Sequence, residues 1–373
     1  MAYLDQLQAQ FPEIEFEAEQ SLAPHTTVKI GGPAEVFCLL KEKVHLINVT
    51  QFALKQNIPL TILGWGANSL ISDSGIRGLV IKNLCQEITV HPQSQTVETQ
   101  TDQSTTTPAR WQAADQPETG YNAGADFSQL DYFEAEAPRV LVTMDAGVSL
   151  PMAINTLLSQ GITGLQWYTR IPASIGGAIY NNIHGGKHFI GELLQSVQVI
   201  DQTGELKRYL ASELELDYDH SRFHHSKEII ISADFLLFKG AVEKAKSIVI
   251  AWAKQKAIQP QNSLGCVFQN ITAKEQARLG LPTPSTGYLI QKVLTLQGLQ
   301  IGDAKISDRH AAFIENVGHA TAADYLAVIR KIIQAAQAKC QLHLKPEIFF
   351  LGFTASELDG IVQTASAESS ASA

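Results

Sequence analysis

Apolar positions in residues 42–56, EKVHLINVTQFALKQ, recur close to helical spacing at Val44, Ile47, Phe52 and Leu54, which predicts a helix. The run that follows, IPLTILG (58–64), is short and apolar and predicts a buried strand, and GLVIKNL (78–84) predicts another. This alternation is an α/β beginning. The same idea returns over residues 145–165, where a helix on PMAINTLLSQ stops at Gly161. LLQSVQVIDQTGELKRYL (193–210) predicts a β-hairpin turning at DQTGE. Beyond about residue 240 a further α/β unit is expected, with helices near 242–256 and 321–338 and a last strand in EIFFLGF (347–353).

Two stretches break the pattern. Residues 95–137 carry eight acids and only Arg110, a net of −7 within a chain whose total is −9. High polarity and weak periodicity predict an insertion outside the core, although Trp111, Tyr121, Phe127, Tyr132 and Phe133 argue against a wholly unstructured one. The tail QTASAESSASA (363–373) is low-complexity and expected to be unordered. A net charge of −9 excludes a general nucleic-acid binder but leaves room for a local basic pocket. The N-terminus lacks the basic start and apolar core of a signal peptide, and no membrane span is expected. Cys38, Cys85, Cys266 and Cys340 are widely spaced without a CxxC pair, which fits a reducing cytoplasm.

Two small-residue loops carry the candidate chemistry. GWGANSL (64–70) follows a predicted strand, yet Ser69 stands where a dinucleotide fingerprint needs its third glycine, so a Rossmann unit is not expected. TRIPASIGGAIYNNIHGG (169–186) is nearly uncharged, with Arg170 at its head. Taken singly, either loop reads more readily as a structural turn. Together, after apolar strands about 110 residues apart, they favour one flat, anionic ligand held between two lobes, because small residues let backbone N–H groups approach a diphosphate.

At the level of motifs, HTTVKIGGPAEVF (25–37), ILGWGANSLISDSGIRGLVI (62–81), RIPASIGGAIYNN (170–182), NSLGCVFQN (262–270), GLQIGDAKISDRHAAFIEN (298–316) and LKPEIFFLG (344–352) occur in order. In these motifs the chain resembles the UDP-N-acetylenolpyruvoylglucosamine reductases, also called UDP-N-acetylmuramate dehydrogenases. The resemblance spans about residues 20–353, apart from the 95–137 insertion, which is not part of the usual pattern. It implies an α+β fold: a two-lobed FAD-binding domain of the vanillyl-alcohol-oxidase (PCMH) type followed by an α/β substrate-binding domain. The expected boundaries are 1–86 for lobe 1, 87–224 for lobe 2, 225–354 for the C-terminal domain and 355–373 for a tail. FAD is expected against Gly64, Trp65, Gly66, Ala67, Asn68 and Ser69, and against Ile171, Pro172, Ser174, Gly176, Gly177 and Asn182.

The implied reaction has two halves: NADPH reduces FAD, and the reduced flavin delivers hydride to an enolpyruvyl double bond, completing UDP-N-acetylmuramate for peptidoglycan. Such an addition needs a proton donor and a stabiliser of negative charge. The family's donor serine is Cys266 here; a free thiol titrates near 8.5 and is mostly protonated at neutral pH. Read alone, Cys266 is a small buried thiol. The family's acid is Glu347, whose other reading is a salt bridge to Lys345. The family's catalytic arginine is replaced by Asp219 in YDHSRF (218–223), so Arg170 is the expected substitute, with Arg222 as the rival and a surface role for Arg222 equally open. Substrate contacts are expected at Asn270, His310 and Arg222. Two family lysines are Gln269 and Gln297, which Lys292, Lys305 or Arg309 would have to offset. His184 sits where the family has a tyrosine-bearing turn. No metal ligand cluster is expected. The expected partners are a UDP-sugar and NADPH, with neither nucleic acid nor membrane, and the expected form is a cytoplasmic monomer. Two other readings stay open: a flavin oxidoreductase of the same fold with another substrate, and a non-catalytic flavin- or nucleotide-binding protein.

Overall fold

The computed structural model describes residues 2–92, 134 and 137–362. Nearly all of the acidic insertion and the tail from residue 363 lie outside the described residues. The first unit contains α1 (Ala2–Gln10), β1 (Phe16–Ser21), β2 (Pro33–Leu40), α2 (Lys43–Lys55), β3 (Leu60–Leu63), β4 (Ser69–Ile71) and β5 (Ile76–Asn83). Its sheet runs β1-β2-β5-β3, with β2, β5 and β3 parallel. The helix expected over 42–56 is α2, which buries Leu46, Val49 and Ala53. Its amphipathic face packs with β2 and β5 side chains and with Ile200 and Ile231 of the second unit.

The second unit contains β6 (Ile88–Val90), β7 (Arg139–Asp145), α3 (Leu150–Ser159), α4 (Ile175–Tyr180), the short pair β8 (His184–Gly185) and β9 (His188–Phe189), β10 (Leu194–Ile200), β11 (Leu206–Leu210), α5 (Phe223–Ser226), β12 (Ile229–Phe238) and α6 (Val242–Lys256). Ser149 caps α3 by accepting from Met152 N–H, and the helix ends before Gly161 at φ +77°. The hairpin expected over 193–210 is the β10–β11 pair. The antiparallel sheet runs β11-β10-β12-β7-β6. The expected boundary at 224/225 cuts this sheet, because β12 lies between β10 and β7. Ile248 of α6 is also in the same core, so the second unit continues through residue 256. Lys43 joins the first two units by an ion pair of 2.6 Å to Asp145.

The third unit contains β13 (Ser263–Cys266), α7 (Ala273–Leu279), α8 (Thr286–Tyr288), β14 (Gln300–Ile301), β15 (Ala304–Ile306), β16 (Phe313–Asn316), α9 (Ala322–Cys340) and β17 (Phe349–Leu351). Its sheet, β13-β16-β15-β14, is antiparallel. The long α9 covers it with Tyr325, Leu326, Ile329 and Ile333. β17 leaves this sheet and pairs in parallel with β4 of the first unit. Val28, Ile30 and Leu70 of the first unit sit in the core of the third. Of the expected tail, residues up to 362 are turns, with Ile361 fully buried in that core.

Asp73, in the turn after β4, accepts from the N–H groups of Ala322 (2.8 Å) and Ala323 (3.0 Å), the first residues of α9. This carboxylate meets the positive end of the helix dipole and fastens the third unit to the first. Replacing it leaves those donors to water, so Asp73→Ala should lose about 1–2 kcal/mol. Urea unfolding followed by circular dichroism tests this, and an unchanged midpoint would show that the clasp contributes nothing.

Candidate functional site

The two small-residue loops meet. A Cβ placed on Gly64 would lie 2.5 Å from Ser174 Oγ, so the first loop can approach the second only because residue 64 is glycine. Ser174 is buried and caps α4 by accepting from Gly177 N–H at 3.3 Å. The other positions of the first loop differ in their tasks. Trp65 is exposed, Ala67 and Ser69 are half-buried, and Gly66 is buried in a left-handed conformation against His25. In the second loop Pro172 is exposed and Ile171 half-buried.

The adjacent glycines of α4 separate cleanly. A Cβ on Gly176 would stand 2.9 Å from Ala146 Cβ, so this glycine permits the close packing of α4 on the turn after β7. Gly177 is exposed, and a Cβ there would meet only Ser174 Oγ, at 3.4 Å. Asn182, also expected at the cofactor, is fully buried and already committed: its amide donates to Asp217 O (2.9 Å) and accepts from Gly191 N–H (3.0 Å). Its role is to pin the loop.

The first loop then reaches the segment that holds Glu347. Asn68 Nδ2 donates to Glu347 O (3.3 Å), and Asn68 O accepts from Phe349 N–H (2.9 Å). Across from it runs the Cys266 segment: Glu347 N–H donates to Val267 O (2.9 Å), and Gln269 N–H donates to Lys345 O (3.0 Å). Thr27 Oγ1 donates to Ser263 O at 2.6 Å, tying β13 to the first unit. The second loop arrives through Tyr180, whose ring meets Phe349 edge-on at 5.4 Å. Cys266 is half-buried, whereas Cys38, Cys85 and Cys340 are buried. Burial pushes the Cys38 and Cys85 thiols up to about 12.

Sequence reasoning missed Lys256, at the end of α6. Its ammonium donates to Thr169 O (3.3 Å) and lies 5.1 Å from the Trp252 ring centre. Burial pushes it down to about 8, while the nearby Cys266 sulfur pulls the other way. The legible signal was the Trp252–Lys256 pair at i,i+4 on the last turn of a helix just upstream of the cysteine motif. Arg170 follows Thr169 directly. It is exposed, left-handed at φ +67°, and has no ion pair among the described residues. Left-handed backbone at a non-glycine residue is strained and concentrates at functional sites.

Other expected contacts resolve differently. Arg222 lies on the β11 side of the second sheet, 3.3 Å from Glu228, with its guanidinium 4.0 Å above the Tyr209 ring. These two contacts hold it within the second lobe. His310 is buried; its Nδ1 accepts from Ala312 N–H (3.2 Å), so it shapes a turn beneath α8. Asn270 is exposed, with Oδ1 accepting from Thr286 N–H (3.3 Å). Gln297 donates to the carbonyls of Ser307 (3.3 Å) and Asp308 (2.9 Å), and Lys305 pairs with Asp308 at 2.5 Å. Asp219 occupies a tight turn at φ +46°, next to the site through Ser221 Oγ on Tyr180 O (2.6 Å). Burial pushes its carboxyl above the usual range, against the pull of His184.

These features define a class: a two-lobed flavin-binding fold whose C-terminal unit brings the Cys266 and Glu347 segments against the 64–70 loop. Residues 125–209 match the family described as FAD binding domain, and residues 258–351 match the C-terminal domain of UDP-N-acetylenolpyruvoylglucosamine reductase. The chain is 31% identical over 320 residues to the reductase of that name from Chlamydia felis, covering 85% of this chain and 87% of the other. It is 28% identical over 363 residues to that of Listeria monocytogenes, covering 94% and 99%. The crystal structure of the reductase MurB from Thermus caldophilus superposes with a TM-score of 0.63 at 23% identity, over 91% of this chain and 98% of the other. The chain belongs to the UDP-N-acetylenolpyruvoylglucosamine reductase family.

The geometry of the two glycines gives a direct test. Gly176→Val should destabilise the fold by roughly 1–3 kcal/mol through overpacking against Ala146. Gly177→Ala should leave the unfolding midpoint within experimental error. A thermal melt of both variants decides it, and equal melting of the two would refute the distinction.

Proposed function

We propose that this chain reduces the enolpyruvyl group of UDP-N-acetylglucosamine enolpyruvate, giving UDP-N-acetylmuramate for peptidoglycan synthesis, as a cytoplasmic monomer using NADPH and FAD. The observation that carries the reading is the convergence of the loop at Asn68, the Glu347 segment and the Cys266 strand on one set of hydrogen bonds. The residues fit FAD: Gly64 and Ser174 close the two lobes on each other, and exposed Gly177 and Trp65 flank that junction. The chemistry FAD supplies when bound is hydride transfer from NADPH to the enolpyruvyl double bond.

In this reading Cys266 gives the proton that completes the addition. The thiolate it leaves stands beside the Lys256 ammonium, which also faces the negative charge developing on the substrate carboxylate. Thr169 O and the Trp252 face hold that ammonium in place. Arg170 is the second cation, next along the chain and free to reach a carboxylate or diphosphate. Glu347 orients the donor from the neighbouring strand, and Asn270 offers its amide to substrate.

A second reading, a flavin oxidoreductase of this fold with another substrate, is favoured by one observation. Gln297 is committed to the carbonyls of Ser307 and Asp308 on the segment opposite, so it does not stand in for a diphosphate-binding lysine. Anaerobic half-reactions separate the two. Bleaching by NADPH followed by reoxidation with enolpyruvyl-UDP-sugar supports the first, and bleaching without reoxidation supports the second.

Removing the donor should spare the NADPH half-reaction and slow the second. Cys266→Ala should cost roughly 10²–10⁴-fold there, while Cys266→Ser keeps much of the activity. Lys256→Met should show the same selective loss, roughly 10²–10³-fold, with Arg170→Ala also selective. Normal reoxidation of the flavin in all three would sink this assignment of roles.

The charge on Lys256 also sets a pH limb. Its folded value is lowered to about 8, so the cation is present below that pH and is lost as pH rises through it. The second half-reaction should therefore slow above about pH 8. Lys256→Arg, whose charge persists, should move that limb upward. A limb that does not move in Lys256→Arg would assign it to another group.

A further inference from the structure

Lys82 sits near the end of β5, opposite Leu63 of β3, at the carboxyl end of the parallel strands. Open parallel sheets leave a crevice for ligands at that edge. Its ammonium donates to Gly64 O (2.5 Å) and to His25 O (3.3 Å). Gly64 opens the cofactor loop, and His25 opens the segment whose Thr27 N–H donates to Gly66 O at 3.2 Å. One half-buried cation thus ties the start of the 64–70 loop to the 25–27 segment that packs on it.

Its electrostatic setting is unusual. Among the described residues no carboxylate pairs with Lys82. The neighbouring charge that acts on it is another cation, Lys29, whose backbone is left-handed at φ +59° and whose ammonium reaches Pro24 O at 3.4 Å. Two carbonyl oxygens satisfy part of the Lys82 ammonium but neutralise none of its charge. A half-buried, unneutralised cation with a second one beside it is costly in isolation, and an anion at that place removes the cost.

We propose that Lys82, with Lys29 beside it, supplies the positive charge that faces the diphosphate of FAD, while the loop glycines supply only N–H dipoles. The inference rests on the flavin reading above. Burial and repulsion from Lys29 push the Lys82 ammonium down to about 8, which an adjacent diphosphate reverses. Lys82 is a positioning residue, since it acts on binding and loop geometry and not on the reacting atoms.

The test compares ligands with and without phosphate on the flavin-depleted full-length chain, using fluorescence titration. Lys82→Met should weaken FAD roughly 10–100-fold, as for loss of a charge-assisted contact, and leave riboflavin within about twofold. Lys82→Arg should restore most of the FAD affinity. Unchanged FAD affinity in Lys82→Met would overturn the proposal. So would an equal loss for FAD and riboflavin, because that marks a loop staple alone. Should Lys82→Met fail to fold, Lys29→Gln decides: several-fold weaker FAD with unchanged riboflavin supports the proposal, and unchanged FAD refutes it. A parent chain that binds neither flavin would instead remove the flavin reading itself.

Discussion

The parallel pairing of Ser69–Ile71 with Phe349–Leu351 is the constraint on which the site depends. It brings a strand from near the end of the chain onto the edge of the first unit, directly after the cofactor loop. Its register decides which residues meet, since a slip of one position would turn every side chain of the strand to the other face. With Phe349 opposite Ser69, Asn68 can bind on both sides of Ile348, through Glu347 O and Phe349 N–H. The shared burial of Val28, Ile30 and Leu70 with the third core, and the Asp73 clasp on α9, reinforce the same junction. Cys266, Glu347 and the loop 64–70 therefore behave as one body. In the proposed reaction, a donor fixed in this way would need little reorganisation.

The local elements were legible and the long-range ones were not. The α2, α3 and α9 helices and the β10–β11 hairpin rest on periodicity, caps and turn residues within a few positions of one another. The boundary at 224/225 failed because nothing local says which sheet β12 joins; its partners, β10 and β7, lie far away in sequence. The glycines show the same limit at finer scale. The motif marks Gly176 and Gly177 alike, and only Ala146, in the turn after β7, distinguishes the packing of the first. Polar residues meet the same limit. Asn182, His310 and Arg222 have the right chemistry for ligands, and each also makes a hydrogen bond or ion pair within the protein that the sequence does not announce. Whether a polar side chain is free is a property of the fold.

The exchanges at the reacting centre fit one another in the proposed mechanism. A hydroxyl donor loses its proton reluctantly and tolerates a permanent cation beside it. A thiol titrates near neutrality, and a guanidinium at hydrogen-bonding distance would draw its proton away before substrate arrived. Where the resemblance implies an arginine the chain has Asp219, whose carboxyl is pushed above its usual range, and the neighbouring cation is a lysine held down to about 8. That lysine's charge is not fixed, and the Cys266 sulfur nearby favours its charged form. Before transfer the thiol keeps its proton. After transfer the thiolate and the ammonium stabilise each other, so the same lysine serves the donor's conjugate base and the charge on substrate. A weak, adjustable cation is what a thiol donor needs, which makes Cys266, Lys256 and the loss of arginine at 219 parts of a single chemical adjustment.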